Sequence, residues 1–183
     1  GVSPVTSSAP EVSVAQERIG GGYCEIDVES LTARGFATQQ NVQSEIATDL
    51  RRIKRPLLVA IKKAEASSHR TLPPNLVLIT SSLPGEGKTF VAINLALSLA
   101  AEVDRSVLLV DADIVKSDVS AVLGVSAATG LTDLLQRSAA YAENAVLQTN
   151  IPSFSLLLSG PRLPNVDELF ASDKMIQLAR DLA

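Results

Sequence analysis

From Ser44 to about Ala64 the apolar residues Ile46, Leu50, Ile53, Leu57 and Ile61 recur every three or four positions, which predicts one helical face. Pro56 falls inside that stretch, where it removes a backbone donor and predicts a kink or break. Residues 75–80 (Asn-Leu-Val-Leu-Ile-Thr) form a short apolar run rich in β-branched side chains, the pattern of a buried parallel strand. Residues 88–101 read as a helix and 106–110 as a second buried strand. A short helix over 131–137 follows Gly130, a third strand spans 154–158, and a last helix covers 165–183 with Leu169, Met175, Leu178 and Leu182 among its apolar positions. Strand and helix alternate, so the pattern predicts an α/β domain with a parallel sheet flanked by helices.

Before residue 41 no apolar period is sustained. The segment opens Gly-Val-Ser-Pro-Val-Thr-Ser-Ser-Ala-Pro and contains Gly20-Gly21-Gly22, so residues 1–40 read as a flexible tail or linker, with a short helix near 28–33. Residues 41–183 are left as the folded domain. Across the 183 residues, 46% are hydrophobic and 20% charged, which excludes a wholly disordered chain. One Cys and one His exclude a disulfide scaffold and a thiolate metal centre. No apolar run reaches the roughly 18–20 residues that span a bilayer. The net charge of −4 argues against nucleic-acid binding. That charge is uneven, because residues 41–70 carry a local excess of +4, chiefly Arg51, Arg52, Lys54, Arg55, Lys62 and Lys63. By charge alone this basic run reads as a solvated face, ahead of a lipid surface or nucleic acid; contact with another subunit or an activator comes first only through a family resemblance.

The strongest chemical signal is Thr80-Ser81-Ser82-Leu83-Pro84-Gly85-Glu86-Gly87-Lys88-Thr89, set between a predicted strand and a predicted helix. A phosphate-binding loop wants Gly, four residues, then Gly-Lys-[Ser/Thr]. Ser82 stands in the first Gly position, and Gly87, Lys88 and Thr89 match. Gly85 and Gly87 let the backbone wrap closely enough for successive N–H groups to face phosphate oxygens at a helix N-terminus. Ser82, Pro84, Gly85, Glu86, Gly87, Lys88, Thr89 and Phe90 are therefore the candidate nucleotide-binding residues, with the Glu86 side chain turned to solvent. Lys88 is expected to reach the β- and γ-phosphates of ATP and Thr89 to ligate Mg²⁺. A second signal is Val107-Leu108-Leu109-Val110-Asp111-Ala112-Asp113, an apolar strand ending in two acids. Ligands of open α/β sheets sit beyond the carboxyl ends of strands, which brings both acids toward the loop. Asp111 is the candidate base or orienter of Mg²⁺, and Asp113 an assistant at the metal or substrate side. Lys88, Asp111 and Asp113 are the candidate catalytic residues, with Thr89 and Asp111 at the metal.

At these residues the chain resembles the bacterial tyrosine autokinases of exopolysaccharide and capsule synthesis, P-loop proteins related to the partitioning and division-site ATPases. The likeness runs over residues 44–183. It rests on residues 79–89 as Walker A and on Leu108-Leu109-Val110-Asp111-Ala112-Asp113 as the additional Walker A′ motif. It extends to Ala92-Ile93-Asn94-Leu95-Ala96, Gly130-Leu131-Thr132-Asp133-Leu134-Leu135 and Leu157-Leu158-Ser159-Gly160 through Glu168-Leu169. Leu50-Arg51-Arg52-Ile53-Lys54-Arg55-Pro56-Leu57-Leu58 looks like the branch associated with exosortase-type systems. Leu83 stands where the partitioning ATPases place a signature Lys, which favours the kinase side. The resemblance implies ATP- and Mg²⁺-dependent tyrosine autophosphorylation, a separate membrane-spanning activator, and a cytoplasmic position at the inner membrane face.

Some family features differ. Ile114-Val115-Lys116-Ser117 replaces a basic-Pro run, and the family's Glu-x-x-Arg-x-x-Arg ring-assembly motif maps to Thr48, Arg51 and Lys54, so a homo-oligomer is implied more weakly. The Walker B strand and the Tyr-rich cluster are expected beyond Ala183, which reads as a truncation. Tyr23 and Tyr141, His69 and Cys24 read as ordinary residues. The alternative reading is a regulatory ATPase or nucleotide switch that transfers no phosphate to protein.

Overall fold

Apolar strands and helix faces assemble into one four-stranded sheet with helices on both sides. The computed structural model describes residues 22–66, 72–137 and 145–183. Residues 1–21, His69 and Tyr141 lie outside the described residues. In chain order the elements are β1 (Tyr23–Cys24), α1 (Val28–Ala33), α2 (Glu45–Glu65), α3 (Lys88–Ala100), β2 (Val107–Val110) and α4 (Asp118–Leu123). There follow α5 (Leu131–Arg137), β3 (Leu147–Thr149), β4 (Phe154–Leu157), α6 (Val166–Phe170) and α7 (Asp173–Asp181). The sheet order is β1-β3-β4-β2. β2 runs parallel to β4 with Val107 opposite Phe154, and β1 runs parallel to β3. β3 and β4 form an antiparallel hairpin, closed where Thr149 Oγ1 donates to the Phe154 carbonyl at 2.8 Å. The expected α/β class is found, with this one antiparallel pair in a mostly parallel sheet.

β4 carries both cores because successive strand residues point to opposite faces. Leu156 joins Ile93 and Leu97 of α3 on one face, and Leu157 joins Leu131 and Leu135 of α5 and Leu178 of α7 on the other. A third cluster seats Ala47 and Leu50 of α2 against Leu95 of α3.

Five expectations are corrected. Residues 22–40 are not a tail. Ile26, Leu31 and Phe36 are buried in the same core as Ile93 and Phe154. Asn150 fastens the segment by accepting from the Ile26 amide and donating to its carbonyl. α2 runs unbroken through Pro56, which lies on the exposed side, where water can satisfy the carbonyl that proline cannot serve. The expected strand over 75–80 joins no ladder among the described residues, and Leu78 is 82% exposed. A short apolar run becomes a strand only beside a neighbour that pairs its backbone, and β2 pairs with β4 alone. The last helix is two, because Ser172 adopts an extended conformation (φ −86°, ψ 158°) and starts α7 as its N-cap. β2 itself is half-buried throughout rather than buried.

The end of β4 and the start of α5 touch backbone to backbone. A Cβ on Gly130 would lie 2.4 Å from the Gly160 nitrogen and 2.5 Å from the Leu158 oxygen. These are backbone atoms that cannot swing aside. The Gly130→Ala variant is therefore expected to melt about 4–10 °C below the wild type, in the range of overpacking costs for a chain of this size, as followed by circular dichroism.

Candidate nucleotide and phosphoryl-transfer site

Gly85 and Gly87 both adopt left-handed backbone (φ +83° and +85°), open to a glycine at no steric cost. Gly87 is the N-cap of α3 and offers no side chain to it. The N–H groups of the first helical turn are therefore left for another acceptor, and the helix dipole favours an anion there. Lys88 is the first residue of α3; its Nζ donates to Ser81 Oγ at 3.1 Å, and Ser81 Oγ in turn donates to the Leu83 carbonyl at 3.0 Å.

The Glu86 side chain does not simply point into solvent, although it is exposed. Its carboxylate turns back on the loop and accepts from the Leu83 amide at 3.0 Å. That hydrogen bond, aided by Ser81, Ser82 and Lys88, holds its pKa below the ordinary glutamate value. The contribution is thus present above the ordinary value and fades as pH falls through the lowered one. Glu86→Ala is expected to speed hydrogen exchange at the Leu83 amide at neutral pH while leaving α3 protection unchanged.

The two acids after β2 occupy different depths. The Asp111 backbone is fixed by its N–H donating to the Leu157 carbonyl at 2.8 Å, and the residue is 4% exposed. Its Oδ1 accepts from the Asp113 amide at 3.0 Å, whereas its buried Oδ2 has no hydrogen-bond partner among the described residues. Burial, with Asp113 and Asp118 nearby, raises its pKa above the ordinary aspartate value. Asp113 is half-buried, and its Oδ1 accepts from the Lys116 amide at 3.1 Å. Ser117, at φ +50°, then starts α4, and its hydroxyl lies 2.6 Å from that of Ser159 beyond β4.

An open cavity of about 700 Å³ gathers Pro84, Gly85, Gly87, Lys88, Thr89 and Phe90. Asp113 lines it too. Ser82 and Glu86 are exposed outside this lining, and Asp111 lies beneath it. Sequence reasoning missed two further lining residues, Arg34 and Phe36, which share the cavity with Lys116. The Phe36 ring centroid is 4.9 Å from that of Phe90. The available signal was local: Asp27 caps α1 by accepting from the Ser30 amide, and Gly35 follows that helix at φ +84°. Those marks identify an ordered element, not its neighbour.

No cluster of three or more carboxylate, His or Cys side chains poised for a metal exists among the described residues. Mg²⁺ bound with nucleotide does not need one, since it takes most of its oxygens from phosphate and water. The unpartnered Asp111 Oδ2 and the Thr89 hydroxyl are of the right chemistry for such an ion or its waters. No helix among the described residues is long and apolar enough to cross a membrane.

No protein-family model matches the chain. Curated proteins do. The chain is 36% identical over 129 residues to the tyrosine-protein kinase YwqD of Bacillus subtilis, covering 64% of this chain and 54% of YwqD. It is 33% identical over 122 residues to the tyrosine-protein kinase wzc of Salmonella typhimurium, covering 65% of this chain and 17% of wzc. The chain thus spans about half the length of YwqD and a smaller part of wzc. Among solved structures, the chimerical protein CapA2B2 superimposes with a TM-score of 0.64 at 27% identity, covering 89% of this chain and 64% of that one. Over the matched residues, the chain is similar to bacterial tyrosine-protein kinases.

Proposed function

We propose that the chain is the ATP-binding part of a protein-tyrosine autokinase that regulates exopolysaccharide or capsule synthesis. The observation that carries this reading is the single cavity in which Lys88 and Thr89 meet Asp113. A Gly-rich loop alone would serve any nucleotide hydrolase. A carboxylate held across from the phosphate-binding turn adds a group able to receive a hydroxyl proton.

In this reading the N–H groups of the first turn of α3 hold the phosphates of ATP. Lys88 leaves Ser81 for the β- and γ-phosphate oxygens. Mg²⁺, when bound, neutralises charge on those oxygens. Thr89 would hold the ion directly, and Asp111 would orient it through Oδ2. Asp113, at the cavity surface, is better placed than Asp111 to take the phenolic proton. The acceptor oxygen then forms its bond to the γ-phosphorus as the bond to the bridging oxygen breaks, and ADP departs. The basic face of α2, with Arg51, Arg52 and Arg55 exposed, would meet a membrane-spanning activator or a second copy at the inner membrane face. The part of the folded unit assigned to this activity includes residues 22–40 as well as 41–183.

The test is incubation of the chain with γ-labelled ATP, Mg²⁺ and a tyrosine-containing peptide, followed by phosphoamino-acid analysis. Label on tyrosine is expected. Label recovered only as inorganic phosphate would overturn the kinase reading and favour the nucleotide switch.

A further inference from the structure

We propose that Arg34 is an acceptor-binding residue, whose guanidinium forms the platform on which the ring of the incoming tyrosine stacks. The inference rests on the kinase reading of the cavity and names the part of it that no motif assigns.

Arg34 follows α1 and is exposed, yet its guanidinium makes two contacts. Nη1 donates to the Val122 carbonyl on α4 at 2.7 Å. The guanidinium carbon lies 5.6 Å from the centroid of the Phe36 ring. Phe36 is itself 4% exposed and rests on Phe90, two residues past Lys88. The planar group is therefore held at a set position relative to the phosphate-binding turn. It shares the cavity with Thr89, Asp113 and Lys116.

Among the described residues no carboxylate forms an ion pair with Arg34. Its plane is thus not committed to a fork-to-fork salt bridge, the usual employment of a structural arginine. The guanidinium lies over the Phe36 ring, and a phenol is suited to stack on it as well, because guanidinium stacks on aromatic rings through dispersion and the ring quadrupole. An aliphatic hydroxyl side chain has no such surface. The arrangement would select tyrosine over serine by stacking, while Asp113 faces the hydroxyl.

The experiment measures binding of a tyrosine-containing peptide and of its serine counterpart to the chain, in the presence of Mg²⁺ and a non-hydrolysable ATP analogue. Tight binding of the tyrosine peptide and weak binding of the serine one are expected. Arg34→Ala should weaken the tyrosine peptide about tenfold, within the range of a desolvated cation–aromatic contact, with analogue affinity unchanged. Arg34→Lys keeps the charge and a donor for the Val122 carbonyl but loses the plane, so it should be as weak as Arg34→Ala. Arg34→Lys binding like the wild type would overturn the stacking role, as would equal binding of the two peptides by the wild type. A fall in analogue affinity in step with peptide affinity would overturn it too, by placing Arg34 at the nucleotide. Because binding is read without transfer, a chain that binds the tyrosine peptide through Arg34 but forms no phosphotyrosine would fail the kinase reading alone.

Discussion

Replacing Lys88 by methionine is expected to abolish transfer of γ-phosphate to tyrosine while leaving the fold standing. The two halves of that result have separate causes. In the protein without nucleotide, Lys88 makes one side-chain hydrogen bond, from Nζ to Ser81 Oγ. It forms no ion pair among the described residues, so its loss costs no more than about 0.5–1.5 kcal/mol, a typical net hydrogen bond. Methionine keeps the unbranched stem and its packing, and a melting midpoint within about 4 °C of wild type follows for a chain of this size. On the kinase reading, with ATP bound the same amine would face phosphate oxygens whose charge shifts during transfer. Losing a preorganised charge there costs at least about 10²–10³ in rate. Labelling of tyrosine by γ-labelled ATP reads the rate, and thermal unfolding reads the fold. Undiminished labelling would sink the assignment of Lys88, and a collapsed melting curve would make the residue structural.

The asymmetry between these effects reflects what was legible in the residues. The phosphate-binding loop could be read because its chemistry depends on local constraints. Two left-handed glycines and a following helix are written into five consecutive positions, and α3 and α5 start where expected. The acids after β2 could be read for the same reason. Elements that depend on distant partners could not. Residues 75–80 have strand composition, but composition does not supply a neighbouring strand, and the run lies outside the ladder. β1 is two residues long, and the core residues around it, Ile26, Leu31 and Phe36, fit no period because they sit on different local structures. They were assigned to a tail although each is buried. Arg34, a further lining residue of the site, was lost with them, since it reaches the cavity only through a fold that places α1 beside α4. Pro56 shows the opposite error. Its local penalty is real, but Leu50 and Ala47 packed on Leu95 hold α2 to its course. α4 was missed because Ser117, its N-cap, lies at φ +50° and makes no side-chain cap bond, leaving few of the usual start signals.

Asp111 should behave in the opposite sense to Lys88, with its replacement by asparagine making the nucleotide-free protein more stable and the enzyme inactive. The carboxylate is buried and leaves one oxygen without a hydrogen-bond partner among the described residues. Burial is the first cause of its raised pKa, and the charges of Asp113 and Asp118 add to it. An acid whose folded pKa lies above its unfolded one binds more protons when folded, so stability falls as pH rises from the ordinary aspartate value through the raised one. Above the raised value the wild type carries that whole penalty. Asparagine keeps an oxygen for the Asp113 amide and carries no charge to desolvate. Relief of about 1 kcal/mol would raise the melting midpoint by about 2–4 °C for a chain of this length. Below the ordinary aspartate range the wild-type group is protonated in both states, and the advantage should vanish there. Adding Mg²⁺ and ATP reverses the ranking, because a ligand that binds only the folded state stabilises in proportion to its affinity. The wild type should then gain more than the variant, and the variant should transfer no phosphate. An asparagine variant that melts below the wild type at neutral pH would refute the stored penalty. One that transfers phosphate normally would remove Asp111 from the site. Stability given up at Oδ2 in the empty protein is, on this argument, the measure of how strongly that oxygen is committed to a cation.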